Sequence, residues 1–243
     1  MKKWLKEKGI AMLVGTSLLI CALIYQRPWE MTERSEPASS NGVSGDGRYV
    51  VVIDAGHGGR DGGKLSIDGE TYESDINLEI AYRLKTYLEA ENIVVIMTRE
   101  TEEGLYSESD TNKKAADLRN RIEIIDRAAP DLVISIHQNS YHDSSVKGAQ
   151  VFYYTTSENG KKLAEIIQAQ LRLSLDPENN RQAKANDSYY LLKKTSATIV
   201  IVECGFLSNM EETALLKSEE YQDRVAWNIH LAIMQYLNRQ QNG

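Results

Sequence analysis

Residues that bind metals or transfer protons stand at three well separated points of the chain. His57 lies within the segment IDAGHGGRDGG, residues 53–63, where five glycines surround it. His137 ends the apolar run DLVISIH, and Glu203 ends the apolar run TIVIVE. Two imidazoles and a carboxylate with one open coordination position are typical of a hydrolytic zinc site. This chemistry requires a fold that brings the three segments together, and glycines let the backbone come close to a ligand.

The identity of the carboxylate ligand is open from the residues alone. The candidates are Glu70, Glu73, Asp75 and Glu203. Glu73 stands at the start of a predicted helix, and the glycine-rich segment leads to it directly from His57, so a packed helix would hold it in place. A carboxylate that is not a ligand would act as the base. Ligands scattered over loops are a weaker pattern than two histidines on one helix, and the spacing by itself fits a metal site and a metal-free site equally well.

Short β-branched runs alternate with amphipathic segments along most of the chain. Helices are predicted where apolar residues recur on one face, as Ile76, Ile80, Leu84 and Leu88 do. The predicted helices cover residues 74–91, 113–128, 158–173 and 220–238. The predicted strands cover residues 49–54, 93–98, 131–137, 148–154, a short segment 189–192, and 198–203. The acidic segment 100–112 is a predicted loop.

This alternation predicts an α/β fold, a single domain with a twisted, mostly parallel sheet and helices on both faces. Ligands of such sheets bind at the carboxyl ends of the strands. His57 lies three residues past the predicted first strand, while His137 and Glu203 end the third and the last strands. The three residues are therefore expected at the same edge of one sheet.

The first 47 residues differ in composition from the rest of the chain. Lysines at positions 2, 3, 6 and 8 precede an apolar run over residues 9–25, which is typical of an export signal. Residues 1–26 are interpreted as a signal peptide or an uncleaved signal anchor, with a buried core helix as the alternative. Residues 27–47 are polar and rich in Ser, Gly and Pro, and predict a flexible linker. The folded domain is expected over residues 48–240, exported to the outer face of the cytoplasmic membrane or the cell-wall space.

Charge and cysteine content narrow the classes of function. The net charge of −7 argues against nucleic-acid binding, which favours a basic surface. Cys21 lies in the N-terminal apolar run and Cys204 in the folded domain, so no disulfide is expected between them. Because Cys204 follows Glu203 along a strand, it is expected on the opposite face, in the core.

Five segments stand in the order found in the zinc-dependent N-acetylmuramoyl-L-alanine amidases of the Amidase_3 family, which the chain resembles over residues 50–238. These segments are IDAGHGGRDGG, ESDINLEIA, the TR pair at 98–99, ISIHQNS and VECGFLSN. The resemblance implies that His57, Glu73 and His137 bind Zn²⁺ and that Glu203 is the catalytic carboxylate. It also implies hydrolysis of the amide bond between the lactyl group of N-acetylmuramic acid and L-alanine in peptidoglycan.

Within that family, the membrane-proximal signal without wall-binding repeats most resembles the germination-specific branch of spore-forming bacteria. The resemblance implies a role in spore cortex maturation, in which stem peptides are removed so that muramic lactam can form. The expected partners are peptidoglycan as the substrate and the membrane, through the N-terminal helix, if that helix is not cleaved. Whether a protein activates the enzyme is left open.

Other functions fit some of the same residues. A zinc peptidase would cut within the stem peptide, and a non-catalytic module would bind the wall without turnover, although binding alone does not require Glu203. The glycine-rich segment lacks the spacing of a phosphate-binding loop. Asn139 would orient His137 or contact substrate, and Arg99 and Arg119 are expected to be ion-pair or substrate-rim residues. His142 is expected on the surface, and His230, on the last predicted helix, is interpreted as a structural residue.

Overall fold

Strands and helices alternate along residues 47–241, the part of the chain that the computed structural model describes. The strands are β1 (Val50–Ala55), β2 (Val94–Met97), β3 (Leu132–Asn139), β4 (Gln150–Tyr154), β5 (Lys184–Asn186) and β6 (Ile199–Phe206). The helices are α1 (Glu73–Ala90), α2 (Lys113–Ala128), α3 (Glu158–Ser174), α4 (Tyr190–Lys194), α5 (Met210–Leu216) and α6 (Glu219–Gln241). The predicted signal segment and nearly all of the predicted linker lie outside the described residues.

The strands form one mixed sheet in the order β2-β1-β3-β6-β4-β5. The first four strands in this order run parallel to one another, β4 pairs antiparallel with β6, and β5 pairs parallel with β4. The prediction of a mostly parallel sheet therefore agrees with β2, β1, β3 and β6, while β4 and β5 run in the opposite direction and make the sheet mixed. A parallel return needs a crossover of a dozen or more residues, usually a helix. The connection from β3 to β4 contains no helix, so β4 runs in the opposite direction.

Helices cover both faces of the sheet, as predicted. Alternate strand residues such as Ile53, Ile134 and Val202 pack into a large cluster with apolar residues of α1, α3 and α6. The intervening strand residues, including Val52 and Val133, pack into a smaller cluster with residues of α2 and α4. We call these the large-core face and the small-core face. Burial on both faces explains why β1, β3 and β6 are apolar along most of their length.

The longer helices begin and end close to the predicted residues because their apolar spacing and end signals agree. On α1, the residues of the predicted apolar stripe, Ile76, Ile80, Leu84 and Leu88, are all buried. On α2, the side chain of Asn112 accepts a hydrogen bond from the amide of Ala115, which satisfies a free donor of the first turn. The predicted loop over residues 100–112 contains neither helix nor strand.

The segment around Tyr189 differs from its prediction. Residues 189–192 were expected to form a short strand, but α4 begins at Tyr190, and the strand of this region, β5, lies earlier at Lys184–Asn186. The run YYLLKK is too short for its periodicity to distinguish a strand from a helix. Leu191 and Leu192 pack together into the small-core face, which adjacent residues of an alternating strand would not do. Helix α5 was not predicted. No helix within residues 47–241 is long and apolar enough to cross a membrane.

Candidate metal centre

The side chains of His57, Glu73 and His137 meet at the carboxyl edge of the sheet. Nε2 of His57 lies 3.3 Å from Oε1 of Glu73, and Nδ1 of His137 lies 2.9 Å from the same oxygen. The two imidazole rings are 5.0 Å apart between centroids and nearly perpendicular. One donor atom from each residue lies within 4.8 Å of the other two. Two imidazole nitrogens and one carboxylate oxygen that converge in this way fit a metal ion that keeps one coordination position open.

The backbone conformation around His57 lets this loop pass close to the side chains of Glu73 and His137. His57 lies two residues past the end of β1, and its own φ is +63°, a left-handed conformation that L-residues adopt rarely. At Gly56 any β-carbon would overlap the imidazole ring of His137, and at Gly63, where φ is +72°, it would overlap Glu73 and His57. The glycines are thus required where the loop passes against the side chains of His137 and Glu73.

Glu73 is the first residue of α1, and its carboxylate is surrounded by hydrogen-bond donors. Oε1 accepts from the backbone amide of Gln138 at 3.1 Å, and Oε2 accepts from the amide of Lys64 at 3.0 Å. Burial alone would raise the pKa of Glu73, but hydrogen bonds from the imidazoles of His137 and His57 hold it well below its ordinary value. Glu73 is therefore ionised at neutral pH, as a metal ligand must be.

A further carboxylate fixes the orientation of His57. Oδ1 of Asp61 lies 3.2 Å from Nδ1 of His57, while Nε2 of the same ring faces Glu73. A carboxylate behind a ligating imidazole determines which nitrogen carries the proton and raises the basicity of the other. Asp61 was not among the predicted site residues. Its position four residues after His57 in an irregular loop gives no periodic signal that would identify it.

Glu203 lies beside His137 in the sheet, because the two residues are register partners on β6 and β3. Both strands continue past these residues, to Phe206 and Asn139, so His137 and Glu203 lie near the strand ends rather than at them. Glu203 is only 7% exposed, and its Oε2 has no hydrogen-bond partner among the described residues. Burial raises the pKa of Glu203 above its ordinary value, the direction that the sequence predicts for a carboxylate after an apolar run.

The Tyr189 hydroxyl donates to the other oxygen of Glu203, Oε1, at 3.4 Å. Burial, together with the negative charge of Glu203, raises the pKa of Tyr189 to about 12, so the hydroxyl keeps its proton at neutral pH. The sequence indicates no such role for Tyr189. Residues 189–192 are predicted as a strand, whereas in the structure Tyr189 directly precedes α4.

A cavity of about 160 Å³ adjoins Glu203 and the two histidines on the small-core face. Its apolar wall comes from Leu118, Leu191 and Ile201, and its buried end from Asp54, Ser135 and Arg121. Arg121 donates to Asp54 at 2.7 Å and Asp117 at 2.6 Å, and all three side chains are shielded from solvent. Glu203, whose Oε2 has no hydrogen-bond partner among the described residues, lines this cavity together with His57 and His137.

The remaining polar candidates are not part of the cluster formed by His57, Glu73 and His137. Arg99 is buried and donates to backbone carbonyls, which contradicts the expected place in an ion pair or at a substrate rim. Arg119 is exposed on α2. Asn139 accepts from the amide of Ser140 in its own turn, and the described residues show no hydrogen bond between Asn139 and His137.

The other predicted non-site residues have the expected environments. His142 is exposed, beside the ring of Tyr141. His230 is buried against Tyr87 and Trp227. Cys204 is buried in the large-core face, opposite to Glu203.

Comparison with known proteins identifies the family of this chain. The sequence profile of the Amidase_3 family, described as N-acetylmuramoyl-L-alanine amidase, matches residues 51–235. A germination-specific N-acetylmuramoyl-L-alanine amidase of Bacillus subtilis (strain 168) is 35% identical over 241 residues, which are 95% of each chain.

Solved structures agree with the sequence comparison. The CwlD amidase from Clostridioides difficile, determined in complex with the GerS lipoprotein, matches with a TM-score of 0.77 and 40% identity, over 79% of this chain and 99% of that one. The N-acetylmuramoyl-L-alanine amidase AmiC2 of Nostoc punctiforme matches with a TM-score of 0.68 and 31% identity, over 78% of this chain and 97% of that one.

Proposed function

The chain belongs to the Amidase_3 family of N-acetylmuramoyl-L-alanine amidases, and from this premise we propose that His57, Glu73 and His137 hold a zinc ion and that Glu203 transfers the protons. The reaction of the family is hydrolysis of the amide bond between the lactyl group of N-acetylmuramic acid and L-alanine. When bound, zinc polarises the substrate carbonyl and lowers the pKa of a water molecule.

The contrast between the two buried carboxylates carries this assignment. Glu73 accepts hydrogen bonds on both oxygens and has a lowered pKa, whereas Glu203 has one unpartnered oxygen and a raised pKa. Two carboxylates with pKa values pushed apart take separate roles, one fixed in the ionised state and one able to carry a proton. Glu73 accordingly suits a ligand and Glu203 suits a general base that becomes a general acid.

The proton path uses the free oxygen of Glu203. Its Oε2 takes a proton from the attacking water as the water oxygen bonds to the carbonyl carbon. The same carboxyl then gives this proton to the nitrogen of L-alanine as the carbon–nitrogen bond breaks. The products are a free lactyl carboxylate on the sugar and a stem peptide with a free amino terminus. Tyr189 donates to Oε1, so Oε2 is the oxygen of Glu203 left without a partner among the described residues.

The names of two relatives support a proposal for the biological role of this chain. One relative is named germination-specific, and the CwlD amidase was solved in complex with a lipoprotein. We propose that this chain is exported, removes stem peptides from the spore cortex before muramic lactam forms, and is activated by a lipoprotein partner. Loss of muramic lactam from spores of a deletion strain, restored by the intact gene but not by a Glu203→Gln copy, is the expected outcome. Normal lactam content in the deletion strain would contradict the cortex role.

The chemical test uses the full chain in a mild detergent, stripped of metal and reloaded with zinc. We expect activity on purified muropeptides only after zinc is added, with mass spectra that show a free lactyl carboxyl group. Cleavage between two amino acids would instead indicate a zinc peptidase. Retention of muropeptides without cleavage would indicate a wall-binding module. Full activity in metal-free protein would contradict the zinc site while leaving the amidase assignment intact.

A further inference from the structure

Arg99 is a buried cation whose hydrogen-bond acceptors are all backbone carbonyl oxygens. Nε donates to Ala55 at 2.9 Å, Nη1 to Thr101 at 2.8 Å, and Nη2 to Gly56 at 3.1 Å and Ser74 at 2.8 Å. The residue is only 3% exposed. Burial, together with the charge of the nearby Arg121, lowers the pKa of Arg99 to about 10. The group is nevertheless charged at neutral pH, and to bury a charge without a carboxylate partner costs free energy.

The carbonyls that Arg99 joins belong to the two segments that carry His57 and Glu73. Gly56 directly precedes His57, and Ser74 directly follows Glu73. A single Nη2 atom donates to both carbonyls. The guanidinium therefore fixes the distance between the glycine-rich segment and the first turn of α1. A planar fork of donors can do this where a single ammonium cannot.

Arg121 also donates to carbonyls of this loop. Its Nη2 donates to the carbonyl of His57 at 2.5 Å, and its Nη1 donates to Ala55 at 2.7 Å. The carbonyls of residues 55, 56 and 57 thus all face guanidinium groups. The left-handed φ of His57 is an unfavourable conformation that the surroundings must maintain.

We propose that Arg99 is a positioning residue that sets the metal affinity by joining the segments of His57 and Glu73 before the metal binds. This inference rests on the proposed metal site. Groups behind the ligands commonly change metal affinity ten- to a hundredfold when they are removed. Arg99 acts here through backbone carbonyls, so its contribution is to the spacing of the ligands and not to their basicity.

The test is a zinc titration of the metal-free full chain in detergent against a competing chelator. We expect Arg99→Met to bind zinc roughly ten- to a hundredfold more weakly than wild type. Arg99→Lys should regain part of the loss, because an ammonium reaches some of the carbonyls. The matched control is Arg172→Met, since Arg172 also donates to a backbone carbonyl, that of Asn179, but lies on α3 away from the ligands. The control should keep wild-type affinity.

Three outcomes would overturn the inference. A folded Arg99→Met with a lower Tm and unchanged zinc affinity would make Arg99 merely structural. The same loss of affinity in Arg172→Met would make the effect non-specific. A wild-type chain that binds no zinc would remove the proposed site itself, which distinguishes the two failures.

A second measurement on the wild type does not depend on the folding of a variant. In the two segments that Arg99 joins, the amide of Gly58 donates to the carbonyl of Asp61, and the amide of Ser74 donates to the carbonyl of Gly62. We expect both amides to be protected from hydrogen exchange in metal-free protein, because Arg99 holds the segments without the ion. Unprotected exchange that becomes slow only after zinc is added would show that the metal, and not Arg99, orders them.

Discussion

The two faces of the sheet are built from alternating residues of the same strands and differ in what they bury. On β1, β3 and β6, Ile53, Ile136 and Val202 point into the large-core face, which contains the apolar residues of α1, α3 and α6. Their chain neighbours Asp54, His137 and Glu203 line the cavity on the small-core face. There the apolar cluster is smaller, and among the described helices only α2 and α4 contribute to it.

Along each of these strands, the residues on the large-core face stabilise the fold, and their neighbours on the small-core face line the proposed active site. A change on the large-core face removes packing and is expected to act on the free energy of unfolding. A change at Glu203, at the carboxyl edge of the small-core face, removes the proposed proton carrier and is expected to act on the rate. Substitutions on each face can therefore test whether stability and activity change independently.

The largest effect is expected from Glu203→Gln on the small-core face. An amide cannot carry the proton, so kcat should fall by roughly 10²- to 10⁴-fold with little change in KM. The raised pKa means that the folded state binds the proton of Glu203 more tightly than the unfolded state does. Ionisation of Glu203 therefore lowers the stability of the wild type as the pH rises above 4.5, whereas Gln does not ionise and the variant keeps its stability.

Muropeptide hydrolysis and thermal unfolding of the same preparation check both parts. The expected pattern is near-complete loss of activity with a Tm equal to or above that of wild type at pH 7. An active Glu203→Gln enzyme, or an inactive one that has lost its fold, would contradict the expectation that Glu203 affects the rate and not the fold.

The next largest effect is expected from Leu84→Ala on the large-core face. Leu84 of α1 is fully buried, so truncation should destabilise the fold by about 3 to 5 kcal/mol. At low temperature the folded protein should keep nearly wild-type kcat/KM, because Leu84 lines neither the cavity nor the metal centre. Denaturant unfolding and muropeptide hydrolysis provide the measurements. Leu173→Ala, which truncates a leucine that is 75% exposed, is the control and should change stability by less than about 0.5 kcal/mol.

The large-core face is also the part of the molecule that sequence periodicity predicts best. The buried apolar residues of α1, α3 and α6 repeat at helical spacing. Strands covered on both faces are recognised as nearly continuous apolar runs. The segments with His57, Glu73, His137 and Glu203 are likewise found from the sequence. One residue follows a predicted strand, two end predicted strands, and Glu73 stands at the start of a predicted helix. The structure brings all four together at one edge.

The contacts that complete the small-core face are not predictable in the same way. Asp61 and Arg99 act from loops, where positive φ values and backbone carbonyl acceptors leave no periodic pattern. The reversal of β4 and β5 depends on the absence of a helical crossover, and Tyr189 reaches Glu203 because α4 replaces the expected strand. These features depend on long-range packing rather than on local sequence.

A smaller effect on stability is expected from Asp54→Asn, which removes a charge from the small-core face. Burial would raise the pKa of Asp54, but the charge of Arg121 and the hydroxyl of Ser135 lower it from 3.8 to about 2. A lowered pKa contributes stability that is present above pH 3.8 and lost as the pH falls through about 2. We expect the Asn variant to be less stable by about 2 kcal/mol at pH 6.

Denaturant unfolding at pH 6 and near pH 2 checks this expectation. The difference between wild type and Asp54→Asn should shrink as the pH falls, because wild type loses the contribution of the charged pair. Asp187→Asn, at an exposed position, is the control and should behave as wild type at both values. A difference that stays constant over this range would show that Asp54 acts through packing rather than through its charge.

The smallest effect is expected from Tyr189→Phe, which removes one hydroxyl beside Glu203. The hydrogen bond at 3.4 Å is long, so its loss should cost about 1 kcal/mol, or roughly fivefold in kcat, with KM nearly unchanged. The hydroxyl stabilises the ionised form of Glu203, so its removal should also shift the acid limb of the kcat–pH profile to higher pH. Tyr190→Phe is the matched control, since Tyr190 lines the same cavity and the described structure shows no hydrogen bond from it to Glu203. If both variants lowered kcat equally without a shift in the profile, the tyrosines would act on the shape of the cavity, and Glu203 would reach its position through the sheet alone.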